Sequence, residues 1–112
     1  DAQRLARLLS DPWHRAAVLY NPAPILRKLK CPVLVLNGEL DLQVVADLNV
    51  PAIEMALHNG GNVAVTVKRF PELNHLFQMA KTGLPEEYFK IEETIAPSVR
   101  DTIATWIAHI TK

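Results

Sequence analysis

Asp41 and His75 are the two side chains of this sequence whose types and placement best suit acid–base chemistry. Asp41 stands three residues beyond Gly38, which closes the apolar run Val33-Leu34-Val35-Leu36 and its following Asn37. His75 stands five residues beyond Phe70, where a second run ends, one in which valines alternate with other residues. If both runs are neighbouring parallel strands, each side chain leaves from the carboxyl end of a strand, where open α/β sheets gather ligands and catalytic groups. Strands about 4.8 Å apart then place the two on one rim. A carboxylate beside an imidazole fixes which ring nitrogen bears the proton and stabilises the imidazolium formed when His takes up another. That is the acid and base half of a nucleophilic triad. The plainer alternative is a turn cap at Asp41 and an ordinary loop hydrogen bond at His75, and spacing alone does not choose between them.

Other residues compete for these roles. Glu39 and Asp47 flank Asp41 and are alternative acids, although Asp47 suits a helix cap and Glu39 a solvated position. The serines are Ser10, at a helix boundary in Leu9-Ser10-Asp11-Pro12, and Ser98, beside Pro97 in the first turn of a helix, where Ser is common. Cys31, the single cysteine, precedes the first strand at the end opposite the rim and is expected to be a buried small hydrophobe. His14, His58, His75 and His109 lack metal-ligand spacing, and His58 and His109 fall near helix C-termini, where His is favourable in any case. Leu76, Phe77 and Met79 beside His75 suit an acyl pocket or, more simply, core packing. Asn74 can orient the loop through side-chain to backbone hydrogen bonds. Tyr88 and Phe89 read as structural.

The elements that must position these residues follow from periodicity. Leu5, Leu8 and Leu9 at i, i+3, i+4 predict a short helix, and Asp11-Pro12 predicts the cap and first position of another, carrying Trp13, Ala16, Ala17 and Tyr20 inward. Asn21-Pro22-Ala23-Pro24 breaks it, and Ile25 to Lys30 reads as a basic helical turn or connector. Cys31 to Gly38, with four consecutive apolar residues between Pro and Gly, predicts a strand buried on both faces. Asp47 or Asn49 caps the next helix, in which Val50, Ile53 and Leu57 share a face, and His58-Asn59-Gly60-Gly61 stops it. Asn62 to Phe70 predicts a second strand, so the two strands should be parallel with a right-handed connection. A final helix begins near Pro97, with Val99, Ile103, Trp106, Ile107 and Ile110 on one stripe.

Composition bounds the partners. The chain has 112 residues, twelve Lys plus Arg against twelve Asp plus Glu, 49% hydrophobic and 21% charged residues. One domain with an ordinary core fits that length and composition. Zero net charge without a basic cluster argues against nucleic acid and anionic membrane surfaces. No run approaches the about 20 consecutive apolar residues of a bilayer span.

The stretch Cys31-Pro32-Val33-Leu34-Val35-Leu36-Asn37-Gly38-Glu39-Leu40-Asp41-Leu42-Gln43-Val44 resembles the α/β-hydrolase segment that ends in the triad acid. Leu73-Asn74-His75-Leu76-Phe77-Gln78 resembles the segment bearing the family's histidine. Gly60-Gly61 and Thr82-Gly83-Leu84-Pro85-Glu86-Glu87-Tyr88, leading to Thr94-Ile95-Ala96-Pro97, are similar to bacterial esterase-like or peptidase-like members. The resemblance covers Pro22 to Ile110, acid before histidine as the family orders them. It implies Asp41 and His75 as triad residues, an ester or related acyl substrate and no cofactor. The family's serine in G-x-S-x-G has no counterpart here, and Val45 stands where the family often has proline.

The expected fold class is therefore α/β: the C-terminal βαβα portion of an α/β-hydrolase sheet, two parallel strands with flanking helices, preceded by short helices. Residues 1–112 read as one incomplete unit, with 1–30 a helical lead-in that could end a cap region and 31–112 the βαβ unit plus C-terminal helix. The chain opens at Asp1 within an amphipathic pattern, so it reads as a piece of a longer protein, itself inactive for want of a nucleophile. Compartment stays open, with the cytoplasm preferred. The alternative function is a non-catalytic binding or assembly module, homodimeric through an exposed sheet edge.

Overall fold

A computed structural model describes all residues from Asp1 to Lys112. Three short helices lead in: α1 (Ala2–Ser10), α2 (Pro12–Leu19) and α3 (Ala23–Leu26). Strand β1 (Val33–Gly38), helix α4 (Ala46–Asn59) and strand β2 (Val65–Phe70) form the βαβ unit, and helix α5 (Pro97–Ile110) closes the chain after a 3₁₀ turn at Pro85–Lys90. The two strands pair in parallel, from Val33 opposite Val65 to Gly38 opposite Phe70. The molecule is a small α/β unit with mixed helices and a two-stranded parallel sheet.

Alternation along the strands divides the core in two. Val33, Val35, Val65 and Val67 turn to one face and meet Ala46, Val50, Ile53 and Leu57 of α4, with Leu26 and Leu29 at the margin. Leu57 is fully buried. On the opposite face Leu36 and Phe70 meet Leu73, Phe77, Ala96 and Val99, which draw the start of α5 against the sheet. The first cluster seats the strands on α4; the second ties β2 and its following loop to α5.

Several expectations change. Asp11 caps α2 as expected, its Oδ1 accepting from the Trp13 N–H at 2.8 Å. Yet Trp13, Ala16, Ala17 and Tyr20 do not point inward: all four are exposed, Trp13 by 72%. The reason is that α2 packs chiefly on α1, and neither helix contains a buried residue. Helix α3 begins within the proline-rich break, because proline is tolerated in a first turn. Neither Asp47 nor Asn49 caps α4: Val45 holds that position without a side-chain cap, and Asn49 donates back to the Val45 carbonyl at 2.9 Å.

Strand β2 starts at Val65 rather than Asn62. The buried Asn62 side chain donates to the carbonyls of Leu29 and Cys31 at 3.1 and 2.9 Å, which anchors the chain across the end of β1 before it can run as a strand. Strand β1 is not buried evenly on both faces. Val35 and Asn37, on the α4 side, are buried, while Leu34 and Leu36 are half-buried. The stripe of α5 shares this looseness, since Val99 is buried but Ile103, Ile107 and Ile110 are exposed.

Candidate active site

The turn after β1 and the loop after β2 are pressed together by the strands that feed them. Glu39 N–H donates to the Phe70 carbonyl at 2.9 Å, and Leu40 N–H to that of Leu73 at 3.0 Å, extending the strand pairing past its regular end. Asp41 follows at once. It is 7% exposed, and its Oδ1 accepts from the backbone N–H groups of Gln43 and Val44 at 2.9 and 2.8 Å. Its Oδ2 lies 2.9 Å from His75 Nδ1. The two residues singled out by spacing therefore meet, 34 positions apart in the chain.

Electrostatics fixes the sense of this contact. Burial opposes charge on Asp41, but the hydrogen bonds from Val44, His75 and Gln43 together outweigh it and hold the carboxyl below its ordinary value. An ionised carboxylate only accepts, so the proton in the contact sits on His75 Nδ1. The His75 ring is 34% exposed and its Nε2 makes no hydrogen bond within the chain. One ring nitrogen is thus held by a buried carboxylate, and the other is free at the surface to accept a proton.

The rival acids are engaged elsewhere. Asp47 accepts from Arg69 Nη2, and Glu39 Oε1 lies 3.1 Å from Arg69 Nε, close enough for charge attraction but not aligned as a hydrogen bond. Asp47, the stronger influence, together with Glu39 holds the Arg69 guanidinium more firmly protonated against the opposing effect of burial. Glu39 is accordingly paired rather than merely solvated.

Ser10 is exposed and donates to the Arg7 carbonyl at 2.7 Å, while Ser98 lies exposed in the first turn of α5. Cys31 corrects the expectation of a buried hydrophobe: it is exposed, because it precedes β1 by two residues and so lies outside the paired strands. No group of three His, Cys, Asp or Glu side chains is placed to hold a metal ion.

Supporting residues appear that spacing did not suggest. Gln43 Nε2 donates to the Tyr88 hydroxyl at 2.8 Å, joining the acid turn to the 3₁₀ turn. Gly83 is closed against the acid turn as well, since a Cβ there would stand 2.0 Å from the Leu40 carbonyl oxygen. Glu87 gathers the segment between: its carboxylate accepts from the N–H groups of Lys81, Thr82 and Gly83 and from the Thr82 hydroxyl. The Thr82 hydroxyl and these backbone groups hold the Glu87 carboxyl down to about 2. The sequence signal for Glu87 is its place just after the turn-forming Gly83-Leu84-Pro85. Asn74 meets its expectation, its Oδ1 accepting from the N–H groups of Leu76 and Gln78, both at 3.0 Å.

Tyr88 is half-buried and structural in this sense, but Phe89 is not: it is 97% exposed, on the outer side of a turn with no element above it. Phe77 packs into the core, whereas Leu76 and Met79 of the same loop are exposed. The two largest hollows, about 520 and 530 Å³, lie at the 79–91 segment and between α5 and the sheet, and neither is lined by Asp41 or His75. The pair stands on an open rim. No protein-family model, curated protein or solved structure matches this chain.

Proposed function

We propose that this chain supplies the acid and the base of an α/β-hydrolase-type serine hydrolase acting on carboxylic esters or related acyl bonds. The observation that carries the reading is the buried Asp41 carboxylate 2.9 Å from His75 Nδ1, with Nε2 unpaired, at the carboxyl ends of two adjacent parallel strands. In this reading His75 Nε2 takes the proton of a serine hydroxyl supplied from outside residues 1–112. The serine oxygen bonds to the acyl carbon, and the alcohol leaves with the proton returned by His75. Water then attacks the acyl-enzyme, giving its proton to His75, which passes it to the departing serine. Asp41 keeps the ring in the tautomer that leaves Nε2 free as acceptor.

The test uses the longest natural polypeptide that contains these residues. Hydrolysis of p-nitrophenyl butyrate and labelling of a serine by a fluorophosphonate are both expected, and His75→Ala should abolish both. Unaltered turnover in His75→Ala overturns the proposal. Residues 1–112 alone should hydrolyse p-nitrophenyl acetate no faster than free imidazole does, because base and acid without nucleophile or oxyanion donors lose most of the catalysis.

A second reading, a binding or assembly half without chemistry, is favoured by a different observation. The outer edge of β1 pairs with nothing, and its sequence Val-Leu-Val-Leu has no charge to protect that edge. A concentration-dependent dimer in sedimentation, together with no serine labelling in the longer polypeptide, would favour this reading over the first.

A further inference from the structure

His75 sits on a loop whose shape is set by a buried polar network. Asn74 is fully buried; besides its two accepted hydrogen bonds, its Nδ2 donates to Gln78 Oε1 at 3.0 Å. Gln78, also buried, donates from Nε2 to the Glu93 carbonyl at 3.1 Å, and a Glu93 carboxylate oxygen accepts from the Met79 N–H at 2.6 Å. The backbone closes the same loop, with Asn74 N–H donating to the Gln78 carbonyl at 3.1 Å and Phe77 N–H to that of Asn74 at 3.0 Å. Residues 74 and 78 are therefore joined by three hydrogen bonds, and His75 lies inside the clasp. The turn is tight enough to hold Phe77 at φ 57°, a region that a bulky residue occupies only when its surroundings over-determine it.

Little else can aim the imidazole. The ring is one-third exposed, and its only hydrogen bond is the one to Asp41. A buried amide with this many partners is costly to leave unsatisfied, so the network has one stable arrangement and transmits it to the backbone at residue 75. We propose that Asn74 is a positioning residue for His75, acting with Gln78 and the Glu93 carbonyl to hold the imidazole where Nδ1 meets Asp41. The proposal deepens the hydrolase reading and rests on it for its consequence in turnover, but the geometry it concerns belongs to this chain alone.

The test is ring ¹⁵N spectroscopy on the labelled 112-residue chain, which reads the nitrogen that bears the proton and how fast that proton exchanges. In the native chain the neutral His75 ring should carry its proton on Nδ1. Asn74→Ala should mix in the Nε2-protonated tautomer and speed exchange at least about tenfold, as expected for a lost buried hydrogen bond. Asn74→Asp, which keeps both acceptor bonds, should restore most of the native tautomer. If Asn74→Ala does not fold, Gln78→Met replaces it, since it removes the bond to the Glu93 carbonyl as well as the Nδ2 link, with a side chain of similar size. A native tautomer and exchange rate in the folded variant overturns the positioning role. An Nε2-protonated ring in the native chain overturns the Asp41 contact and the hydrolase reading together, so the two failures are distinguishable.

Discussion

Gly38 and Leu73 meet backbone to backbone: a Cβ added at Gly38 would lie 2.2 Å from the Leu73 carbonyl oxygen. No side chain fits between them, and this contact is what brings the turn bearing Asp41 against the loop bearing His75. Gly38→Ala should force the two apart, with a stability loss of about 1–3 kcal/mol, as overpacking produces. It should also release the Nδ1 proton of His75 from Asp41. Urea unfolding and the His75 tautomer check both effects, and a fully stable variant with the native tautomer counts against the contact as the cause.

Asp41 makes a pH-dependent contribution whose sign is fixed. Its folded carboxyl titrates below the ordinary 3.8 because the hydrogen bonds from Val44, His75 and Gln43 outweigh the opposing effect of burial. The unfolded chain then binds the proton more readily, so the stabilisation is full above the unfolded value and is lost as pH falls through the folded one. Asp41→Asn removes this dependence. The stability gap between native chain and variant should narrow as pH falls below about 5. A gap that widens on acidification means that the carboxylate is not held as described.

In the longer polypeptide of the hydrolase reading, Asp41→Asn should reduce kcat by a factor on the order of 10⁴, because the ring is then free to take the wrong tautomer. The comparison that matters is Glu39→Gln. Its side chain is paired with Arg69 and should leave kcat within about threefold of the native value. Equal losses in the two variants would mean that the acid had been misassigned.

The βαβ core was legible because its signals are local. Four apolar residues between Pro32 and Gly38 and alternating valines after Gly61 each predict a strand without reference to the rest of the chain. The order of strand ends and polar residues then placed Asp41 and His75 on one rim, and the hydrogen bond between them agrees with that placement. What escaped were choices made between distant residues. Arg69 takes both Glu39 and Asp47, Asn62 turns back to Leu29 and Cys31, and Gln43 reaches Tyr88. Amphipathic spacing also says that a face is apolar but not that anything covers it, which is why Trp13 and Ile107 are exposed.

Glu87 offers a second acid-sensitive contact, away from the rim. With the Thr82 hydroxyl and three backbone N–H groups on its carboxylate, its pKa falls from 4.5 to about 2. The stabilisation is present above about 4.5 and fades as pH falls toward about 2. Glu87→Gln retains one acceptor oxygen and should loosen the turn at residues 81–83. Amide exchange at Lys81, Thr82 and Gly83 should be faster in the variant at neutral pH, and the native chain should approach it near pH 2. Exchange at these three amides that ignores the substitution removes Glu87 as their anchor.

The division between covered and uncovered apolar residues predicts two opposite substitution outcomes. Leu57 is fully buried among Val35, Ala46 and Val50, so Leu57→Ala removes transferred methyl groups and leaves a cavity between α4 and the sheet. The loss should be about 2–5 kcal/mol, a large share of the stability of a domain this small. Trp13 is larger and more apolar in area, yet 72% exposed on a helix that packs chiefly on α1. Trp13→Ala should therefore stay within about 0.5 kcal/mol of the native chain. Urea unfolding of the two variants side by side decides it. A Trp13→Ala loss near that of Leu57→Ala would mean that α2 is covered in solution, either by the rest of the chain or by a second copy.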